Sequence, residues 1–122
     1  MSLLNQVRER KNNRKPESVE VDGETYYFAK LSASQKDRFD LQYGSFRESN
    51  GNSNVGLRGF VVAFCVCDEN GSLLHESGDG DLPSDEFLTV AKEYMETDAD
   101  LIEPCFEVAG TVNKIIGGSE KN

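Results

Sequence analysis

An uninterrupted run of eight apolar residues, Phe60 to Cys67, constrains the fold of this chain more than any other stretch. The turn sequence DENG at residues 68–71 ends the run, because Asn-Gly tolerates the positive φ values of a tight reversal. A run of this length suits a buried helix or a central strand, and periodicity alone does not separate the two. Its valines favour a strand, whereas the polar residues 53–54 and Arg58 favour a helix whose last residues become extended before the turn. In both cases it forms the core.

The segment from Ser18 to Lys30 predicts a β-hairpin. Asp-Gly at residues 22–23 supplies a two-residue turn between stretches rich in β-branched and aromatic residues, and this turn pairs Val19 with Tyr26. Cross-strand pairing then places four side chains on one buried face: Val19, Val21, Tyr26 and Phe28. The short apolar stretch at residues 73–74 is a candidate for extending the hairpin.

A capping box predicts a helix from residue 32 to about residue 43. Ser32 is suited to the N-cap position, and Gln35 follows three residues later. Gly44 is expected to end this helix. The stretch 47–54, RESNGNSN, contains no apolar residue and predicts a polar loop.

Three aromatic residues, Phe39, Tyr43 and Phe46, follow one another at helical spacing along this segment. A stripe of this kind belongs either to the core or to a surface that binds a partner helix. The polar loop after the stripe offers it no apolar cover, and exposed apolar patches mark interaction sites. We therefore take Phe39, Tyr43 and Phe46 as the candidate partner-binding residues.

The remaining sequence completes an α+β prediction for a single domain spanning residues 1–122. Further helices are expected near residues 55–65, 84–95 and 100–114, so that a small hairpin or sheet packs against about four short helices. Residues 1–17 are expected to form a basic, flexible segment containing one short amphipathic turn. Residues 115–122 are expected to form a frayed tail.

The charge of the chain is strongly asymmetric. The net charge is −9, and residues 1–16 carry five basic side chains and one acidic one, a net +4, so the remainder carries −13. An acidic body repels phosphate, which argues against nucleic-acid binding, and we interpret the basic segment as a solvated end. There is no apolar window of about 18 residues and no signal-peptide core, so we expect a cytoplasmic protein that does not bind a membrane.

The sequence offers no good metal or catalytic site. Cys65, Cys67, Cys105 and His75 would make a Cys₃His zinc inventory, but the spacing of the first two is poor for zinc, and we expect three reduced, buried thiols. The run GDGDLPSDE lacks the ladder of a calcium loop. With one histidine and no nucleophile elbow, we expect no catalytic residues, no metal, no cofactor and no enzyme activity.

The order of these features resembles one family, the tail assembly chaperones of long-tailed bacteriophages and prophages. The likeness begins with MSLLNQVRERK at residues 1–11 and VEVDGETYYFAKLSASQKDRFD at residues 19–40. It continues with LRGFVVAFCVCDENGSLL at residues 57–74, an acidic loop, two short helices and a terminal EKN. Two features depart from the family pattern: the loop at 47–54 is unusually polar, and AGTVN at 109–113 replaces an expected Leu-Asn-Gly-Leu.

The resemblance implies a non-catalytic role in phage tail assembly. Members of this family bind the tape measure protein, keep it soluble and help to recruit tail tube protein, and they are absent from the finished virion. For this chain, the expected partners are therefore the tape measure protein and the tail tube protein, in the cytoplasm of a bacterial host. Self-association stays open.

Two other classes of function stay open as alternatives. The first is a structural subunit of a phage tail or baseplate with a similar small α+β body. The second is an acidic mimic of DNA, which would need two rows of carboxylates at duplex-like spacing. Here the acidic residues are scattered over predicted helix faces and loops.

Overall fold

The computed structural model of the protein describes residues 2–115. It is an α+β domain with five helices and one three-stranded antiparallel sheet, which confirms the predicted fold class. In chain order, the elements are α1 (Leu3–Asn13), β1 (Glu17–Val21), β2 (Glu24–Phe28), α2 (Ala33–Ser49), α3 (Leu57–Cys65), β3 (Val66–Cys67), α4 (Asp85–Met95) and α5 (Ala99–Val112).

The hairpin has the predicted register. β1 and β2 are antiparallel, and Val19 lies opposite Tyr26 across the DG turn. The third strand is not the predicted stretch at 73–74 but β3, which pairs with the end of β2. Leu73 contributes only an isolated bridge to Cys67 as the chain turns back. The third strand of the sheet is therefore formed by the last two residues of the apolar run.

The apolar run is a helix that becomes extended in its last two residues, one of the two predicted possibilities. α3 is buried along almost its whole length, and β3 continues from it without a break. The DENG turn follows: the amide of Gly71 donates to the Asp68 carbonyl at 3.0 Å, and the Asp68 carboxylate accepts from the amides of Asn70 and Ser72. Local turn chemistry thus sets where the run ends.

Helix α3 lies at the centre of the domain. It packs against α4 and α5, and α5 also packs against both strands of the hairpin. At Gly59 the backbones of α3 and α4 approach so closely that a Cβ atom would lie 2.5 Å from the carbonyl oxygen of Ala91. The core therefore forms around one helix that is covered on several sides.

Helix α2 is longer than predicted, because it does not end at Gly44 but runs on to Ser49. The Ser32–Gln35 capping box forms as expected. A glycine inside a helix costs only about 0.5–1 kcal/mol relative to alanine, and the packing of Phe46 against Phe60 beyond it offsets that cost. The polar loop accordingly begins only at residue 50.

Segment 3–13 forms an 11-residue helix rather than the predicted short turn, and none of its residues is buried. Its N-cap is Ser2, whose side chain accepts a hydrogen bond from the Asn5 amide. The predicted flexibility of residues 1–17 stays a prediction. The predicted frayed tail lies, apart from Ile115, outside the described residues.

Candidate partner-binding surface

Of the three candidate residues, Phe39 belongs to the core. Its side chain is 3% exposed. The ring makes an edge contact with Phe64, at 5.2 Å between centroids, and another with Phe60. Because it is covered by α3, Phe39 supports the surface from inside and does not itself reach a partner.

Tyr43 and Phe46 lie half-buried at the edge of the same aromatic cluster. Their ring centroids are 5.3 Å and 5.1 Å from that of Phe60. The Tyr43 hydroxyl is buried and has no hydrogen-bond partner among the described residues, and burial raises its pKa. One side of each ring is thus fixed by the core, and the other lies near solvent.

Val55 completes this surface, although no pattern in the sequence singled it out. It is 73% exposed and lies in the loop that joins α2 to α3. Next to it, Gly56 has a φ of +91° and lies so close to Phe46 that a Cβ atom would be 2.8 Å from the ring. We call Tyr43, Phe46 and Val55 the α2–α3 rim.

Hydrogen bonds within the loop hold Val55 in place. The Arg47 guanidinium donates to the Asn54 side-chain oxygen at 3.1 Å, and the Asn50 side chain donates to the Val55 carbonyl at 3.4 Å. Since Asn52 and Gly51 adopt positive φ values, the chain reverses tightly here. The polar residues of this loop therefore build a turn that presents a valine outward.

A polar row on α2 anchors the acidic loop at residues 77–82, a contact that we did not predict from the sequence. Gln42 is fully buried, and its amide nitrogen donates to the carbonyls of Gly78 and Gly80 at 3.1 Å and 2.9 Å. Arg38 donates to the carbonyls of Asp79 and Gly80, and Ser45 donates to the Asp81 carbonyl at 3.2 Å. The polar spacing i, i+4, i+7 within an aromatic-rich helix was the signal available in the sequence.

The single histidine lies beside an open cleft between α2 and segment 71–79, with a volume of ≈ 660 Å³. His75 shares a hydrogen bond of 2.8 Å with the hydroxyl of Tyr94. Within residues 2–115, the side chain of His75 forms no hydrogen bond with a serine or cysteine side chain. The arrangement positions a loop and shows no pairing of a nucleophile with a base.

The three thiols are buried and unpaired within residues 2–115. Burial raises the pKa of Cys65 to about 12 and that of Cys67 to about 11. Protonated thiols are poor nucleophiles and poor metal ligands at neutral pH. Across the described part of the chain, no group of three or more His, Cys, Asp or Glu side chains is placed to hold a metal ion.

Comparisons with protein families, with curated proteins and with solved structures find no match to this chain. Among the described helices, none combines the length and the apolar character needed to cross a bilayer.

Proposed function

We propose that this protein is a phage tail assembly chaperone that binds an apolar helical segment of a tape measure protein through the α2–α3 rim. The observation that carries the proposal is Val55, an aliphatic side chain that is 73% exposed and whose chain neighbour Gly56 lies against the half-buried ring of Phe46. The resemblance of the chain, from its first helix to its terminal EKN, supplies the identity of the partner.

The geometry of the rim suits a helical ligand. An apolar helix docks by placing side chains at i, i+3 and i+4 against a hydrophobic surface, and half-buried aromatics held by a core lose little entropy when they are covered. Phe46 is fixed by Phe60 and by the tight approach of Gly56, so it is such a rigid anchor.

The charge of the body supports the same role. The chain outside residues 1–16 carries a net charge of −13, and like-charged particles repel each other. A complex that covers the apolar segment with this domain would therefore stay dispersed. In this proposal the chaperone acts in the host cytoplasm, helps to bring tail tube protein to the tape measure protein, and does not enter the virion.

Val55→Asp is the sharpest test, because this side chain is exposed and its loss leaves the core intact. On co-expression, we expect the variant to leave the tape measure protein insoluble while its own melting temperature stays within about 2 °C of the parent. Replacing a central anchor should weaken binding about 30-fold or more. Leu74→Asp is the matched control, since Leu74 is also exposed, at 55%, but lies outside the rim.

If Val55→Asp keeps the tape measure protein as soluble as the parent does, the rim is not the binding surface. Phe46→Ser is less informative, because the loss of its contact with Phe60 is expected to lower stability as well. The alternative, a structural tail or baseplate subunit, is separated by mass spectrometry of purified virions. Stoichiometric amounts of this protein in purified virions would favour the structural subunit.

A further inference from the structure

Helix α1 presents an apolar stripe that nothing in the described chain covers. Leu3, Leu4 and Val7 are 77%, 55% and 51% exposed. At 100° per residue these three share one face of the helix, and Arg10 and Lys11 continue the same face toward its C-terminal end. The exposed face of α1 is therefore apolar at its start and cationic at its end.

The body of the protein carries a second apolar surface, and the charged side chains around this surface are acidic. Leu41 and Leu82 are 52% and 68% exposed. On α2, Leu41 lies beside Arg38 and Ser45 by helical periodicity, and these two residues hold the loop that leads into Leu82. We call this surface the Leu41–Leu82 patch; it comprises the two leucines and the exposed carboxylates of Asp79, Asp81, Asp85 and Glu86.

The patch is held in a fixed shape. Gln42 and Arg38 each donate to two backbone carbonyls of the loop, and the Ser84 amide donates to the Ser77 carbonyl at 2.9 Å, which closes the loop at its base. The guanidinium of Arg38 is directed at backbone carbonyls and leaves the four carboxylates without a salt bridge among the described residues. The patch thus combines two aliphatic side chains with a net negative charge, since four carboxylates outnumber the one guanidinium of Arg38.

We propose that α1 of one molecule docks on the Leu41–Leu82 patch of a second molecule of the same chain, giving a symmetric dimer with two such contacts. The partner is identified by complementarity: the apolar stripe of α1 meets two exposed leucines, and a segment of net +4 meets a rim of carboxylates. Both halves of the contact are present once in each molecule, so two molecules can exchange their α1 helices across a two-fold axis.

Within one molecule, the apolar stripe of α1 is not covered by the rest of the chain that the structure describes. Only three residues, 14–16, connect α1 to β1, and α1 lies beside segment 30–33 across an open cleft of ≈ 920 Å³. Val7 and Arg10 line that cleft, yet Val7 stays half exposed. A contact with a second molecule covers the stripe without moving β1 out of the sheet.

The test is sedimentation analysis of the full chain and of two double variants, Leu4→Ser/Val7→Ser and Leu41→Ser/Leu82→Ser. We expect the parent to dimerise and each double variant to raise the dimer dissociation constant at least ten-fold. At protein concentrations where the parent is monomeric, the melting curves should be unchanged, because all four side chains are exposed. Raising NaCl from about 50 to about 500 mM should also weaken the parent dimer, since salt screens exposed charges.

Mixing the two double variants decides the geometry. The first variant keeps an intact patch and the second keeps an intact α1, so one of the two contacts can still form between them. A heterodimer should therefore form at concentrations where each variant alone is monomeric. A monomeric parent overturns the proposal. So does a dimer that depends on Leu4 and Val7 but not on Leu41 and Leu82, because that would mean that α1 pairs with itself. None of these results bears on Val55, so the proposed chaperone function is tested separately.

Discussion

At the scale of single residues, Tyr43 has a hydroxyl group whose burial is expected to lower the stability of the fold. Its ring stacks on Phe39 at 5.7 Å between centroids, but its buried hydroxyl has no partner among the described residues. A buried polar group without a hydrogen bond costs about 1–3 kcal/mol. We expect Tyr43→Phe to leave the free energy of unfolding unchanged or to raise it by about 1 kcal/mol, as measured by urea denaturation.

A clear loss of stability in Tyr43→Phe would contradict this, since it would mean that the hydroxyl makes a favourable bond. Tyr26→Phe is a control for the loss of a tyrosine hydroxyl, because Tyr26 is only half buried and its hydroxyl is not among the buried unpaired atoms. This control should change the free energy of unfolding by less than about 0.5 kcal/mol.

The raised pKa of Cys65 predicts a loss of stability at alkaline pH. Its ordinary pKa is 9.0, and burial raises it to about 12 in the folded protein. Below about pH 8 the thiol is protonated in both states and has no effect on the pH dependence. As the pH rises from about 9 toward 12, the unfolded chain ionises first, so the free energy of unfolding must fall.

Urea denaturation at pH 8, 9.5 and 10.5 measures this decline. Cys65→Ala is the control: it should be less stable at pH 8, because it leaves a small cavity, but should lose less between pH 8 and 10.5. Equal slopes for parent and variant would show that Cys65 does not cause the decline. At pH 8 the folded parent should react with a thiol reagent far more slowly than the unfolded chain.

At the scale of elements, two helical glycines predict opposite effects of the same substitution. Gly44 lies inside α2, and a Cβ atom there would meet no neighbouring element within 4 Å, so Gly44→Ala should stabilise the protein by about 0.5–1 kcal/mol. A Cβ atom at Gly59 would collide with the Met95 side chain and lie 2.5 Å from the Ala91 carbonyl oxygen. Gly59→Ala should therefore separate α3 from α4 and cost about 2 kcal/mol or more.

Thermal and urea denaturation of the two variants check this pair. If Gly44→Ala were destabilising, α2 would not continue through residue 44. If Gly59→Ala were neutral, the close approach of α3 and α4 would not exist. Each variant is the other's control, since both exchange the same two residue types within a helix.

At the scale of the whole molecule, Asn113 joins the end of α5 to the exit of β2. Its side-chain oxygen accepts from the Leu31 amide at 2.7 Å, and its amide nitrogen donates to the carbonyls of Ala29 and Ala109 at 2.9 Å and 3.1 Å. Asn113→Asp keeps the shape but places a carboxylate against two carbonyl oxygens. We expect it to cost about 2–3 kcal/mol at pH 7.

The pH dependence of this variant has a definite sign. Repulsion by the carbonyls holds the pKa of the new carboxyl above its value in the unfolded chain, so the penalty should grow as the pH rises from about 4 to 7. Near pH 4 the neutral acid can donate a hydrogen bond to one carbonyl and regain part of the loss. Asn12→Asp on exposed α1 is the control and should change the free energy of unfolding by less than about 0.5 kcal/mol.

The sequence by itself determined the features that depend on residues close together in the chain. The DG turn set the register that pairs Val19 with Tyr26, the Ser32–Gln35 box set the start of α2, and the DENG turn set the end of the apolar run. Each of these involves hydrogen bonds or backbone preferences within about four residues, so the order of residues along the chain is enough to predict them.

The tertiary structure alone decided the features that depend on distant partners. Packing of Phe46 on Phe60 carries α2 past Gly44, and burial against α3 removes Phe39 from the candidate surface. Val55 is exposed only because the polar loop folds on itself. Asn113 finds partners more than 80 positions away. Such contacts form when α3 is surrounded by the other elements, and no local pattern encodes which side chains meet there.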